Sequence, residues 1–539
     1  MTDSIPVAVV DVTSILVAQL ISIVGASQVS TDLTLRELYS HDVFYRPDCT
    51  TKIVISPRSS KELAAVVAAT TIAGFDIHVR GGGMSYTDAY TPLRADSVMI
   101  DMTAMNRVLE VNETDMYVTV EAGCTWAELN TTLESKGLRT PFWGPLSGLY
   151  STIGGGLSQN NAFFGSGTWG TTSESLTSLK VVLADGSIID TGSASTQGGR
   201  PFYRFYGPDM TGLFTGDAGA MGVKAEATFR LIDRPKESGF LSFAFESSED
   251  SAAAMSALSR AGVGAEVFGF DPGLTAIAMS RGNWSDNLKT VASIAKAQKS
   301  IVAGVREAAK TVVAGKSIVR RQEFSLHLVC DGRSEAAVNA DLDLARTIAA
   351  NHQGKEIDNS IAKVIRAAPF GPVDSMLGPN GERWVPTHGI VAHSDAPKVW
   401  HEMYALFAAN AEQMDTYEVT FGFLTCTLAS NGFLIEPVMV WPDELYPMHR
   451  HYVRAEHLDG APVFADNPDA RAFVTEMRQK LIKIFSKYHA VHFQVGKAYP
   501  YREHRKEALW SLIETLKASV DPTGKINPGC LGLKPKKAQ

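Results

Sequence analysis

Two glycine triplets, Gly81-Gly82-Gly83 and Gly154-Gly155-Gly156, constrain this chain more than any other feature of its sequence. The first directly follows a β-branched run, in the stretch His78-Val79-Arg80-Gly81-Gly82-Gly83-Met84-Ser85-Tyr86. A backbone without Cβ atoms can bend sharply and bring successive N–H groups close to an anion, for which a pyrophosphate is the natural guest. The spacing is neither GxGxxG opening a helix nor GxxxxGK[ST]. The second triplet lies in residues 151–161, between Ser151 and Thr152 on one side and Ser158, Gln159, Asn160 and Asn161 on the other. Hydroxyls and amides on both flanks can donate to phosphate or to a heteroaromatic ring.

Around these triplets the pattern is α+β. Residues 53–55, 60–73 and 76–79 read as strand, helix, strand, and further strands are expected at 97–101, 116–121, 179–183, 187–190 and 225–232. Past 233–235 the glycine-rich character fades. Helices are expected at 251–261 and 288–314, and strands at 323–330, 417–427 and 433–441. A helix at 470–487, a strand at 489–495 and a helix at 505–520 complete the chain before the turn Asp521-Pro522-Thr523-Gly524. Three parts follow: 1–235, 236–488 and 489–539.

Composition removes several function classes. With 539 residues, 45% hydrophobic and 20% charged, the chain can build two or more cores. A net charge of -8 argues against a polyanionic partner, so no nucleic acid is expected. Cys49, Cys124, Cys330, Cys426 and Cys530 form neither CxxC nor a Cys/His cluster, which implies no metal site and a reducing compartment. The first 24 residues lack Lys and Arg and read as an amphipathic helix rather than a secretory signal. With no long apolar run, a cytoplasmic protein without a membrane span is expected.

Two further segments complete the pattern: Gly212-Leu213-Phe214-Thr215-Gly216-Asp217-Ala218-Gly219-Ala220-Met221-Gly222-Val223, and Asp521 through Gly529, reading DPTGKINPG. Taken in order, the four segments resemble the vanillyl-alcohol oxidase type of FAD-binding oxidoreductase, whose fold is also that of p-cresol methylhydroxylase. The resemblance implies a bipartite FAD-binding domain closed by the C-terminal segment, with a central α+β cap over the isoalloxazine ring. It implies cofactor contacts from Arg80, Gly81, Gly82, Gly83, Met84 and Ser85, from Ser151, Thr152, Gly154, Gly155 and Ser158, and from Gly222, Val223 and Asn527. Met84 stands where covalently flavinylated members carry His, so non-covalent FAD is expected. Cys530 replaces the family's terminal lysine.

The substrate residues are sought in the cap and just after it. Residues 488–502 (YHAVHFQVGKAYPYR) concentrate polar groups, and on a strand His492 and Gln494 would share one face. Tyr501 and Arg502, with Tyr86, resemble the clamp by which the phenol-oxidising branch ionises its substrate. His388, on a loop, and Glu436, a carboxylate in an apolar strand, are candidate bases, whereas His327 reads as structural. The glycolate and D-lactate dehydrogenase branch resembles residues 207–223 more closely, but its HxGDGNxH and EHGxG stretches are missing, with residues 429–432 and 493–496 in their places. The expected reaction is hydride transfer to flavin from a C–OH or benzylic carbon of a small aromatic or phenolic alcohol. Dioxygen or a redox partner would accept the electrons, and a homodimer is compatible. The alternatives are a 2-hydroxy-acid dehydrogenase using Arg502 or Lys497 for the carboxylate, and a catalytically silent FAD-binding scaffold.

Overall fold

The computed structural model describes residues 11–280 and 323–534. The helix expected at 288–314 and the first ten residues lie outside that range.

The strand–helix–strand unit expected after Lys52 is present. Ile53–Ile55 and Asp76–Arg80 both pair in parallel with Ser97–Asp101, which lies between them, and Val29–Ser30 adds an antiparallel edge. The helix Ser60–Ile72 crosses over this sheet, its N-terminus capped by the Ser59 hydroxyl, which accepts from the Glu62 amide at 3.2 Å. Leu63, Val66 and Val67 bury its apolar side against Ile53, Ile55, Ile77, Val98 and Ile100. The N-terminal helix Val12–Val24 adds Leu16 and Leu20 to the same core.

A second, five-stranded antiparallel sheet runs Val108–Asn112, Tyr117–Glu121, Val223–Arg230, Leu176–Val182, Ile188–Asp190 in spatial order. Its central strand starts at the end of the third glycine-rich segment and so holds that segment against the rest.

The largest sheet has eight antiparallel strands. Across it lie Lys355–Ile357, Glu237–Phe245, Phe324–Gly332, Glu266–Phe270, Thr420–Leu428, Gly432–Trp441 and Arg383–Pro386, with Gly389–Val391 pairing to Gly432–Trp441 as well. Gly432–Trp441 is buried along its whole length, because each of its faces is covered. Phe433, Ile435, Met439 and Trp441 join a core formed with the helices Ser248–Arg260, Ala396–Ala409 and Pro468–Lys487. Leu434, Glu436 and Val438 face the opposite way, into a cavity.

The chain then returns to the first sheet. Ile526 bridges Ile77, whose amide donates to Lys525 O at 2.8 Å while the Asn527 amide donates to Ile77 O at 2.7 Å. The strand expected at 489–495 does not form: only Val491 pairs, with Ile390. The segment instead turns against Thr87, whose carbonyl accepts from the amides of Lys497 at 3.0 Å and Ala498 at 3.1 Å. At Gly496, φ is +56°, and a Cβ there would lie 2.1 Å from Thr87 O.

A buried ion cluster joins the large sheet to the N-terminal part. Arg366 reaches Glu266 at 2.7 Å and Asp331 at 2.6 Å, and Arg139 reaches Asp331 at 3.0 Å. Removing one partner strands buried charge, so Arg366→Ala costs about 3–5 kcal/mol. The variant is expected to unfold at a clearly lower temperature by circular dichroism, and an unchanged midpoint would contradict this.

Candidate functional site

The two triplets meet, but not as two equivalent loops. Gly154, Gly155 and Gly156 lie in the helix Ile153–Gln159, which Thr152 caps. The first triplet, by contrast, lies outside any helix. The amides of Ile153, Gly154 and Gly156 donate to Cys124 O, Ala122 O and Thr152 O at 2.8, 2.7 and 2.8 Å, so they are already committed. What these glycines allow is close approach: a Cβ on Gly154 would lie 2.8 Å from Ala122 Cβ.

The first triplet packs directly on this helix start. A Cβ on Gly82 would lie 1.8 Å from Tyr150 O, and one on Gly81 would lie 2.0 Å from Thr152 Oγ1. The amides of Gly82, Gly83, Met84 and Ser85 meet no acceptor among the described residues, which leaves them available to a bound anion.

Arg80 does not join them. Its guanidinium is buried behind the loop, 4.3 Å from the Tyr39 ring, and donates to the Tyr452 hydroxyl at 2.8 Å. It braces the turn from the rear rather than lining the cavity.

The other cofactor candidates border one cavity of about 510 Å³, a volume typical of cofactor and ligand sites. Gly81 through Ser85, Ser151, Thr152, Gly154, Gly155, Ser158, Gly222, Val223 and Asn527 all line it. Asn527 pins three segments together: its Oδ1 accepts from His78 Nδ1 at 3.0 Å, and its Nδ2 donates to Ala89 O at 2.8 Å and Ala218 O at 2.5 Å. Burial keeps His78 neutral, with its pKa down to about 4. Lys224, which sequence analysis missed, also lines the cavity and pairs at 2.7 Å with Asp217, whose carboxylate accepts the Gly219 and Met221 amides. Unclaimed amides, a bare glycine surface and a long cavity beside them fit the diphosphate and ring system of FAD.

At its far end the same cavity reaches the large sheet. Burial pushes the Glu436 carboxyl up to about 7. The Tyr86 hydroxyl donates to Glu436 Oε2 at 3.4 Å. Burial, and then the neighbouring carboxylate, raises the Tyr86 phenol well above its ordinary value, so it stays protonated and serves as a donor. Gln494 interacts with the same hydroxyl, and Trp384 meets the Tyr86 ring edge-on at 5.7 Å. The walls nearby are Phe270, Leu424, Leu434, Val438 and Phe493.

Four sequence candidates lie elsewhere. His388 is buried behind Tyr86, 4.3 Å from the Phe493 ring, and burial holds it neutral, so it does not line the cavity. Residues 491–496 turn instead of extending, and unlike Gln494, His492 does not line the cavity. It stacks on Tyr499 at 4.0 Å, and its Nδ1 donates to His388 O at 2.7 Å. Arg502 pairs with Glu507 at 2.7 Å and lies 4.8 Å from the Trp510 ring, while Tyr501 packs into the neighbouring core under Arg505. The clamp of Tyr86, Tyr501 and Arg502 is therefore not assembled. Tyr499, absent from the candidates, accepts the His388 amide at 2.9 Å and supports this wall.

Comparison with known proteins agrees with this geometry. A family model described as FAD binding domain matches residues 51–192. Over 218 residues the chain is 30% identical to the glycolate oxidase subunit GlcD of Bacillus subtilis, a stretch covering 40% of this chain and 45% of that protein. The chain thus spans less than half the length of that relative. Among solved structures, p-cresol methylhydroxylase with substrate bound has a TM-score of 0.74 at 14% identity, covering 97% of each chain. The 4-ethylphenol oxidase of Gulosibacter chungangensis, in its isoeugenol complex, has a TM-score of 0.72 at 15% identity and covers 99% of each. The chain carries an FAD binding domain, and its fold is that of p-cresol methylhydroxylase and 4-ethylphenol oxidase.

Proposed function

We propose that this protein is an FAD-dependent oxidoreductase that oxidises the C–OH or benzylic carbon of a small aromatic alcohol, with Glu436 as the base. The observation that carries this is one buried carboxyl hydrogen-bonded to a tyrosine hydroxyl, on an otherwise apolar stretch of the wall of the cavity that FAD would enter, where burial pushes its pKa up to about 7. A base whose pKa lies near neutral pH is well matched to taking a hydroxyl proton. Residues 1–235 and 489–539 hold FAD, which when bound supplies the hydride-accepting ring. Residues 236–488 supply the substrate wall. Tyr86 and Gln494 fix the substrate oxygen, and Trp384 and Phe493 exclude water around it. Dioxygen or a redox partner takes up the electrons, and five free cysteines favour a cytoplasmic location.

A 2-hydroxy acid would need a cation for its carboxylate. Arg502 is spent on Glu507, and Lys497 on Asp88 at 3.3 Å and Thr91 O at 3.0 Å. Of the cations that line the cavity, Lys224 pairs with Asp217 and Arg454 with Asp374 at 2.6 Å. Met84, which lines the cavity, offers a thioether, which forms no flavin tether, so FAD is expected to be non-covalent at this position. Acid precipitation is expected to leave a yellow supernatant and a colourless pellet. Under anaerobic conditions, aromatic alcohols should bleach the flavin while glycolate and D-lactate do not. Bleaching by the hydroxy acids alone would reverse the assignment, and no bleaching by either class would favour a silent flavin scaffold.

A further inference from the structure

We propose that the substrate carries an apolar tail extending beyond one aromatic ring, lodged in an arm of the cavity that leads from Glu436 to the helix Pro272–Ser280. This rests on the alcohol-oxidising reading of the Glu436 site and names the substrate class that site would take.

Strand register defines the arm. Glu436 lies directly opposite Leu424, and Leu424 directly opposite Phe270, so the three form one row across adjacent strands. All three face the cavity. Neighbouring strands lie about 4.8 Å apart, so the row covers roughly 10 Å from the carboxylate outward. Just past Phe270 the chain turns into the helix Pro272–Ser280, which lines the arm with Leu274. From the other side, the helix Ser360–Ala367 presents Val364 and Ile365.

The polar groups around this row are engaged within the protein: Ser325, directly opposite Phe270, donates to Phe270 O at 3.4 Å and lies 3.1 Å from His327 Nε2. The Asp271 carboxylate accepts from the amides of Leu274 and Phe423 at 2.7 Å and from the Tyr404 hydroxyl at 2.6 Å. The Thr425 hydroxyl donates to Gly269 O at 3.3 Å, on the opposite face of the sheet. Beyond Glu436, then, the row offers a ligand dispersion contacts and the release of water, and no hydrogen bonds. A ring bearing only a hydroxymethyl group would cover the Leu424 position and leave Phe270 and Leu274 facing water. An alkyl or aryl extension para to the reacting group covers them, and each buried methylene tightens binding about threefold to fourfold.

The test uses the FAD-loaded protein under anaerobic conditions and 4-alkylbenzyl alcohols from 4-methyl to 4-hexyl. Dissociation constants are taken by calorimetry, and flavin bleaching is recorded separately. Affinity is expected to rise about threefold to fourfold with each methylene until the arm is full. Leu274→Trp, and independently Ile365→Trp from the facing helix, should remove most of that gain for the longest members while FAD content is retained. A flat series overturns the tail site, even if every member bleaches the flavin and alcohol oxidation stands. A steep series unaffected by either Trp variant also overturns it, since the gain then reflects non-specific partitioning. A steep, Trp-sensitive series without bleaching upholds the arm and removes the alcohol-oxidising reading.

Discussion

Gly82→Ala is expected to strip the protein of most of its flavin. The added Cβ would fall 1.8 Å from Tyr150 O, a backbone atom immediately before the capped helix start. Backbone cannot swing aside as a long side chain can, so the two segments must separate. Overpacking of this kind costs roughly 1–3 kcal/mol, and here it displaces the very amides that would hold the diphosphate. FAD affinity should fall about 10- to 100-fold. The change is read by titrating apoprotein with FAD and following flavin fluorescence. Circular dichroism of the variant apoprotein separates loss of FAD from loss of fold. If Gly82→Ala binds FAD as tightly as the parent, the close packing of the two segments does not govern the site.

Glu436→Gln is expected to slow flavin reduction by about 10²–10⁴-fold while leaving bound FAD in place. The amide keeps the volume and much of the hydrogen bonding to Tyr86 but cannot accept a proton. The parent enzyme should show a matching pH dependence. Because burial raises the Glu436 pKa to about 7, the carboxyl is protonated and inactive as a base below that value. The rate of flavin reduction should therefore rise with pH through about 7 and level off above it. Glu436→Gln should lose that inflection. The opposite sign follows for stability. A carboxyl whose folded pKa lies above its unfolded value favours the folded state in full below the ordinary carboxyl range, and that contribution is lost as pH rises through about 7. A flat rate profile in the parent, or full activity in the variant, would exclude Glu436 as the base.

The elements legible in the sequence are those whose signal is local. The strand–helix–strand after Lys52 is readable because β-branched runs and a Ser59-capped helical pattern follow each other without interruption. The strand Gly432–Trp441 is readable from its apolar run, but its uniform burial hides which face carries Glu436. His492 and Gln494 read as a pair only if the segment is extended. The segment instead packs irregularly against Thr87, a contact distant in sequence, and only Gln494 of the two lines the cavity. Arg502 resembles a clamp residue by its neighbours alone, and its pairing with Glu507 and Trp510 is a matter of where the next helix begins.

By itself, the sequence determined that two stretches of backbone free of side chains would be available for close approach, and that a buried carboxylate would need a purpose, since both are properties of residue type and short spacing. Only the tertiary structure decided that one triplet is a helix start with its amides spent, that Arg80 braces from behind, and that Glu436 meets Tyr86. Those outcomes depend on which side chains the folded sheets bring within a few ångströms of each other, and no local pattern encodes that distance.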